Sequence, residues 1–247
     1  MSMLIQRQLK EHAQLYVIGP ALLVGLLAFL FLIVHHWRDS FAGAVQNGVF
    51  LIGLFVSGGV FTSTMFQELS DSPKGIWLLS LPASHAEKVI SAILMSAFAF
   101  LAGYVGLFYL VDGLYVYLTY RQYNSVPFNL FRNGFHGFLY TYLLFNALIL
   151  LGSVFFTKYS FIKTLLSILI GLVLLNYLNN FLMEAITGIK PIISSNLLGG
   201  FQFDYQGEHV YVTLPPACAA MSSWFIRIIL PVIIWGITWL RFTEKEI

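Results

Sequence analysis

The sequence predicts an all-α integral membrane protein with about six transmembrane helices. Three observations carry this reading. Only 10% of the 247 residues are charged while 58% are hydrophobic, and a soluble domain carries about 25% charged residues, so the bulk solvent for most side chains is lipid. The apolar residues are gathered into long uncharged runs, Leu15–Val34, Phe41–Phe66, Val89–Val111, Gly137–Thr157 and Thr164–Met183, with a sixth, Cys218–Leu240, interrupted only by Arg227. Each meets the roughly 20 residues needed to cross a bilayer as a helix. The basic residues collect between the runs and alternate in density from one gap to the next.

That alternation orients the chain. With the N-terminus inside, inner segments carry Arg7, Lys10, Lys74, Lys88, Lys158, Lys163, Arg241 and Lys245, and outer ones carry Arg38, Arg121, Arg132 and Lys190. The excess inside predicts that both termini are cytoplasmic. The whole chain reads as one transmembrane domain, 1–247. Residues 1–14 place Ile5 and Leu9 one turn apart among Gln6, Arg7, Gln8 and Lys10, a pattern for either a short interfacial helix or a frayed polar tail. The first run is too long for a signal-peptide core and lacks a small-residue cleavage site after it, so it is read as a permanent span. Pro20 sits near its start, where a missing amide donor costs little.

Small residues four apart, at Ala21/Gly25, Ala44/Gly48, Gly53/Ser57 and Ala99/Gly103, predict close helix approach. Between the second and third spans comes a polar interruption, 67–88. Ser72 suits an N-cap and Pro73 the first helical position. Ile76, Trp77, Leu78 and Leu79 give a short helix a large apolar side, and Pro82 biases Leu81 out of helix. Ser84-His-Ala-Glu87 is a capping box that starts the third span. The segment is either a surface helix on which a soluble partner presses or a connector that seals the membrane surface. Thr119 to His136 reads as an interfacial loop on the outer side. The stretch 184–223 holds Gly188, Pro191, Gly199, Gly200, Gly207, Pro215 and Pro216, too many breakers for one helix. Phe201–Phe203 and Val210–Val212 fit a β-hairpin around Gln206-Gly207, and a re-entrant element is the alternative. Pro231 is expected to kink the last span.

The chemistry-bearing residues are sparse. A net charge of +2 without a basic stripe argues against nucleic acid. The single Cys218 excludes an internal disulfide. No zinc-protease or phosphate-loop motif occurs, and none of the six histidines falls well inside a span. No catalytic, metal or cofactor-binding residue is therefore assigned, and catalysis on this chain is not expected. The polar residues in or near the spans are Asp112, Asn146, Asn176, Asn179 and Asn180, with Glu184 and Arg227. They either line a translocation path or bond between helices and reach for the water interface.

The run Phe66 to Val89, with Leu79-Ser80-Leu81-Pro82-Ala83-Ser84 and then Glu87-Lys88, resembles the first cytoplasmic loop of type-2 ABC-transporter permeases. The span number, inside termini, N-terminal segment and long outer loop before the last span fit the same family. The resemblance implies a permease subunit of an ATP-driven exporter in a bacterial inner membrane. It implies a second permease half, identical or related, and a separate ATP-binding subunit that carries ATP and magnesium. It also implies that 67–88 holds a coupling helix, with Pro73, Lys74, Ile76, Trp77, Leu78 and Leu81 facing the ATPase and Glu68, Asp71 and Lys74 at its rim. The outer stretch fits the family's re-entrant helices poorly. The rival reading is a membrane scaffold or assembly subunit that moves nothing.

Overall fold

Six helical rods run up and down, and five of them carry stretches long and apolar enough to cross a membrane: Gln46–Thr64, His85–Leu118, Gly137–Phe155, Ser160–Leu182 and Pro216–Thr243. The first rod holds a shorter apolar stretch, Gly19–Ile33. The computed structural model describes residues 13–37, 43–66, 84–123, 127–131, 137–156, 158–187, 193–196, 200–205, 208–213 and 215–244. Residues 1–12 of the N-terminal segment and 67–83 of the polar interruption lie outside them.

The rods are α1 (Ala13–Trp37), α2 (Gly43–Thr64), a composite of α3 (His85–Ile93), a π-helical turn (Leu94–Ala99) and α4 (Phe100–Tyr123), α5 (Gly137–Phe155), α6 (Ser160–Thr187), and a second composite of α7 (Pro216–Trp224), a π-helical turn (Phe225–Ile229) and α8 (Leu230–Thr243). Helix α1 starts early enough that Pro20 stands inside it. The break expected at Pro231 takes the form of the second π turn immediately before it. Proline has no amide donor and its ring collides with the carbonyl four residues back, so the backbone widens there instead of ending.

The all-α expectation holds for the spans and fails between the last two. Strands β1 (Ile193–Asn196), β2 (Gly200–Tyr205) and β3 (Glu208–Thr213) form an antiparallel sheet in the order β1-β2-β3. Phe201 pairs with Val212, Phe203 with Val210 and Tyr205 with Glu208, the hairpin register that alternating β-formers around Gln206-Gly207 favour. The loop expected over 184–223 is shorter than anticipated, because α6 runs on to Thr187 and α7 already starts at Pro216.

Helix α5 is the hub, packed on α2, α6 and α8, while α1 leans on α2 and α4. Two apolar clusters result. One joins Leu27 and Phe31 of α1, Val49, Phe50 and Leu54 of α2, Tyr104 and Phe108 of α4 and Tyr142 of α5. Phe128 and Leu130 also enter it, from the segment expected to be an interfacial loop. The other cluster lies at the opposite end and joins Phe66, Val89, Ala92, Leu150, Val154 and Phe242.

Candidate functional site

The structure offers one clamped loop and three separate polar groups. The clamp comes first. Helix α2 ends in a turn closed by Met65 N–H donating to the Thr62 carbonyl at 3.2 Å. The third rod begins at Ser84, whose hydroxyl accepts from Glu87 N–H at 3.2 Å while the Glu87 carboxylate accepts from Ser84 N–H at 3.0 Å. The predicted capping box is thus formed on both sides. Phe242 of α8 packs its ring 5.1 Å from Phe66 and 5.7 Å from His85. The end of α2 at Phe66 and the start of α3 at His85 are therefore held together by the end of the last helix. The expected docking residues Pro73, Lys74, Ile76, Trp77, Leu78 and Leu81 lie in that segment, outside the described residues.

Asp112 sits on α4, 1% exposed. One carboxylate oxygen accepts from Gln46 Nε2 at 3.0 Å and the other from the Phe128 backbone N–H at 2.9 Å. A carboxylate has about four lone-pair sites and no donor, so it suits two converging N–H groups in an apolar setting. Through it the 127–131 segment is tied to α4 and α2. Tyr109 accepts from Leu130 N–H at 3.2 Å, and the Phe128 ring stacks on Phe50 at 5.1 Å. Asp112 had been anticipated as a polar residue near one end of its span. Gln46, its partner, is a polar residue near the start of the second apolar run.

Asn146 is fully buried on α5 and donates through Nδ2 to Thr62 Oγ1 at 2.7 Å, which in turn donates to the Gly58 carbonyl at 2.7 Å. One turn earlier on α5, the Tyr142 hydroxyl donates to the Ser96 carbonyl at 3.1 Å. Ser96 belongs to the first π turn, where widening takes carbonyls out of the regular i to i−4 ladder. Tyr142 satisfies one of them. The node joins the last turns of α2 to the π turn of the third rod and to the middle of α5. Neither Thr62 nor Tyr142 had been singled out in the sequence, because an apolar run hides a hydroxyl that bonds to a distant backbone.

The third group lies on α6. Asn180 Nδ2 donates to Asn176 Oδ1 at 3.1 Å, one turn apart on an exposed part of the helix, and Asn179 beside them is half-buried. Among the described residues Asp112, Asn146 and the Asn176–Asn180 pair each make their own hydrogen bonds, on α4, α5 and α6. Among the described residues no group of three His, Cys, Asp or Glu side chains is placed to hold a metal.

Fold and composition define the class, a multi-pass helical membrane protein. Comparison with family models, with curated proteins and with solved structures gives no match.

Proposed function

We propose that the chain is the membrane-spanning permease subunit of an ATP-driven exporter, working as a pair with a second permease half and coupled to a separate ATP-binding subunit. The observation that carries this is the clamp. A loop whose two feet sit in one apolar cluster with the C-terminal helix passes a push on the loop directly into α2, α3 and α8. The 67–88 segment has the composition for such a push, with Trp77 and Leu78 as the apolar docking contacts of a short capped helix. On this reading ATP and magnesium are bound by the partner, and the loop and both termini face the cytoplasm.

The test is a mild-detergent pull-down of the tagged protein with mass spectrometry of what accompanies it. Recovery of an ATP-binding subunit, lost in Trp77→Glu while the variant keeps its wild-type elution volume, supports the reading. A preparation free of any ATPase, under conditions that preserve other membrane complexes, would overturn it. One observation favours the rival scaffold reading, namely that the buried polar groups stand apart and each is used to hold helices together. Transport that depends on this chain in reconstituted vesicles would remove that rival.

A further inference from the structure

Arg227 is the one charged residue in the apolar stretch from Cys218 to Leu240. It lies in the second π turn and is exposed. Its guanidinium sits 5.9 Å from the centroid of the Tyr140 ring on α5. Among the described residues no carboxylate pairs with it, and the ion pair at that helix's other end is Arg241 with Glu244. A ring contact is a favourable electrostatic one, but it uses none of the five N–H donors of the guanidinium. An arginine in a membrane-spanning segment without a counter-charge is costly near the bilayer centre, so its depth decides what it can find.

The exposed aromatic residues give that depth. At one end of the bundle Phe155, Tyr159 and Trp239 are exposed beside the exposed Lys158, Lys163 and Arg241. At 1.5 Å per residue along their own helices, Tyr140 stands about 22 Å from Phe155, Tyr177 about 26 Å from Ser160, Trp224 about 22 Å from Trp239 and Arg227 about 18 Å from Trp239. Tyr140, Tyr177 and Trp224 are exposed. Between the two levels the exposed surface of α6 and α8 is mostly aliphatic, with Leu166, Leu169, Ile170 and Val173 on α6 and Val232 and Ile237 on α8. Tyrosine and tryptophan mark the two membrane–water interfaces. Arg227 therefore lies one turn inside the level of Trp224 and the second aromatic girdle, close enough for its long stem to carry the charge toward the headgroups.

We infer that Arg227, backed by the Tyr140 ring and flanked by Trp224, binds the phosphate of an anionic phospholipid in the leaflet at the sheet end of the bundle. The fork of a guanidinium matches two phosphate oxygens, which an ammonium cannot do. Trp224 and Met221, both exposed one to two turns along the helix, supply apolar surface for the glycerol and upper acyl chain. The inference does not depend on the transporter reading.

The experiment uses the full chain in lipid nanodiscs of phosphatidylcholine with increasing phosphatidylglycerol. The wild type should show a rising unfolding midpoint and should retain phosphatidylglycerol in native mass spectrometry. Arg227→Gln should keep the wild-type midpoint in pure phosphatidylcholine and lose about fivefold in retained phosphatidylglycerol, the equivalent of about 1 kcal/mol for one basic residue at an anionic surface. Arg227→Lys should fall between them, and Tyr140→Leu should weaken retention with the charge intact. Equal retention in Arg227→Gln, or loss of retention in Lys158→Gln/Lys163→Gln instead, would overturn the assignment. A midpoint rise produced by inorganic phosphate alone would replace the lipid with a free anion. Dimerisation of the wild type that Arg227→Gln abolishes, with lipid retention unaffected, would assign the arginine to a protein partner.

Discussion

Asp112, one of the few polar residues that the sequence places in the spans, has both carboxylate oxygens hydrogen-bonded. Its two oxygens take Gln46 Nε2 and the Phe128 N–H, so the carboxylate is a fastening for the 127–131 segment. Asp112→Ala removes the acceptor that a buried amide N–H and a side-chain amide now use, which costs about 1–3 kcal/mol. The expected outcome is a lower unfolding midpoint in mild detergent and faster proteolysis between α4 and α5, with Gln46→Ala showing less of both because Phe128 keeps its acceptor. Unchanged proteolysis in Asp112→Ala would mean that the segment is held by Phe128 and Leu130 packing alone. Tyr159 makes the opposite case. It is exposed and sits at a φ of 55°, a left-handed conformation that a bulky residue pays for. Tyr159→Gly relieves the steric part of that cost and should leave stability unchanged or raise it by up to about 1 kcal/mol in the same assay.

At the scale of elements, the small residues divide in a way that spacing alone did not reveal. Four small-residue pairs were expected to mark close approach. Only the Gly53 pair meets a neighbour, with the Tyr104 hydroxyl and Leu27 against it, while Gly25, Gly48 and Gly103 have open space where a Cβ would go. Gly58, outside any of those pairs, is also a tight position. A Cβ there would come within 2.6 Å of Tyr142 Cε2 and 2.8 Å of its hydroxyl oxygen. Gly58→Ala must therefore move Tyr142 off the Ser96 carbonyl, with an expected loss of about 1–3 kcal/mol. Gly103→Ala meets nothing and gains helix propensity of up to about 1 kcal/mol. Paired thermal unfolding of the two variants checks this, and similar midpoints would show that the Tyr142 bond contributes little. The apolar runs were legible because length and absence of charge follow directly from the solvent. The π turns and the hydroxyl contacts were not, because they depend on which helix faces which, and period alone says nothing of that. The sheet was half legible, since the breakers and alternating Phe and Val residues excluded one helix without choosing between a hairpin and a re-entrant turn.

At the scale of the whole molecule the two ends of the bundle are built differently. The Phe128 end is closed by the Asp112 fastening and the Phe50, Phe108 and Phe128 rings, whereas the Phe66 end is held by a small cluster whose keystone is Phe242 from the last helix. Phe242 is fully buried although it lies five residues from the end of the sequence. That arrangement makes a prediction that links fold to the proposed coupling. Phe242→Ala removes the ring that touches both Phe66 and His85, and a buried Phe truncation costs about 3–5 kcal/mol in soluble cores. Only the Phe66 end should loosen. Hydrogen exchange should rise at 84–92 and around Phe66 while amides near Phe50 and Phe108 keep their protection. If the loop works as a coupling element, Phe242→Ala should also weaken recovery of an ATP-binding subunit, although no docking residue has been touched, and Phe242→Leu should restore most of it by refilling the space. Weakened recovery together with local exchange would place the mechanical link in the clamp. Full recovery with raised exchange would show that the partner reads the loop by its own side chains, and that the feet need not be held for docking. Uniformly raised exchange throughout the bundle would instead mean that the two ends unfold as one unit, which the separation of the two apolar clusters argues against.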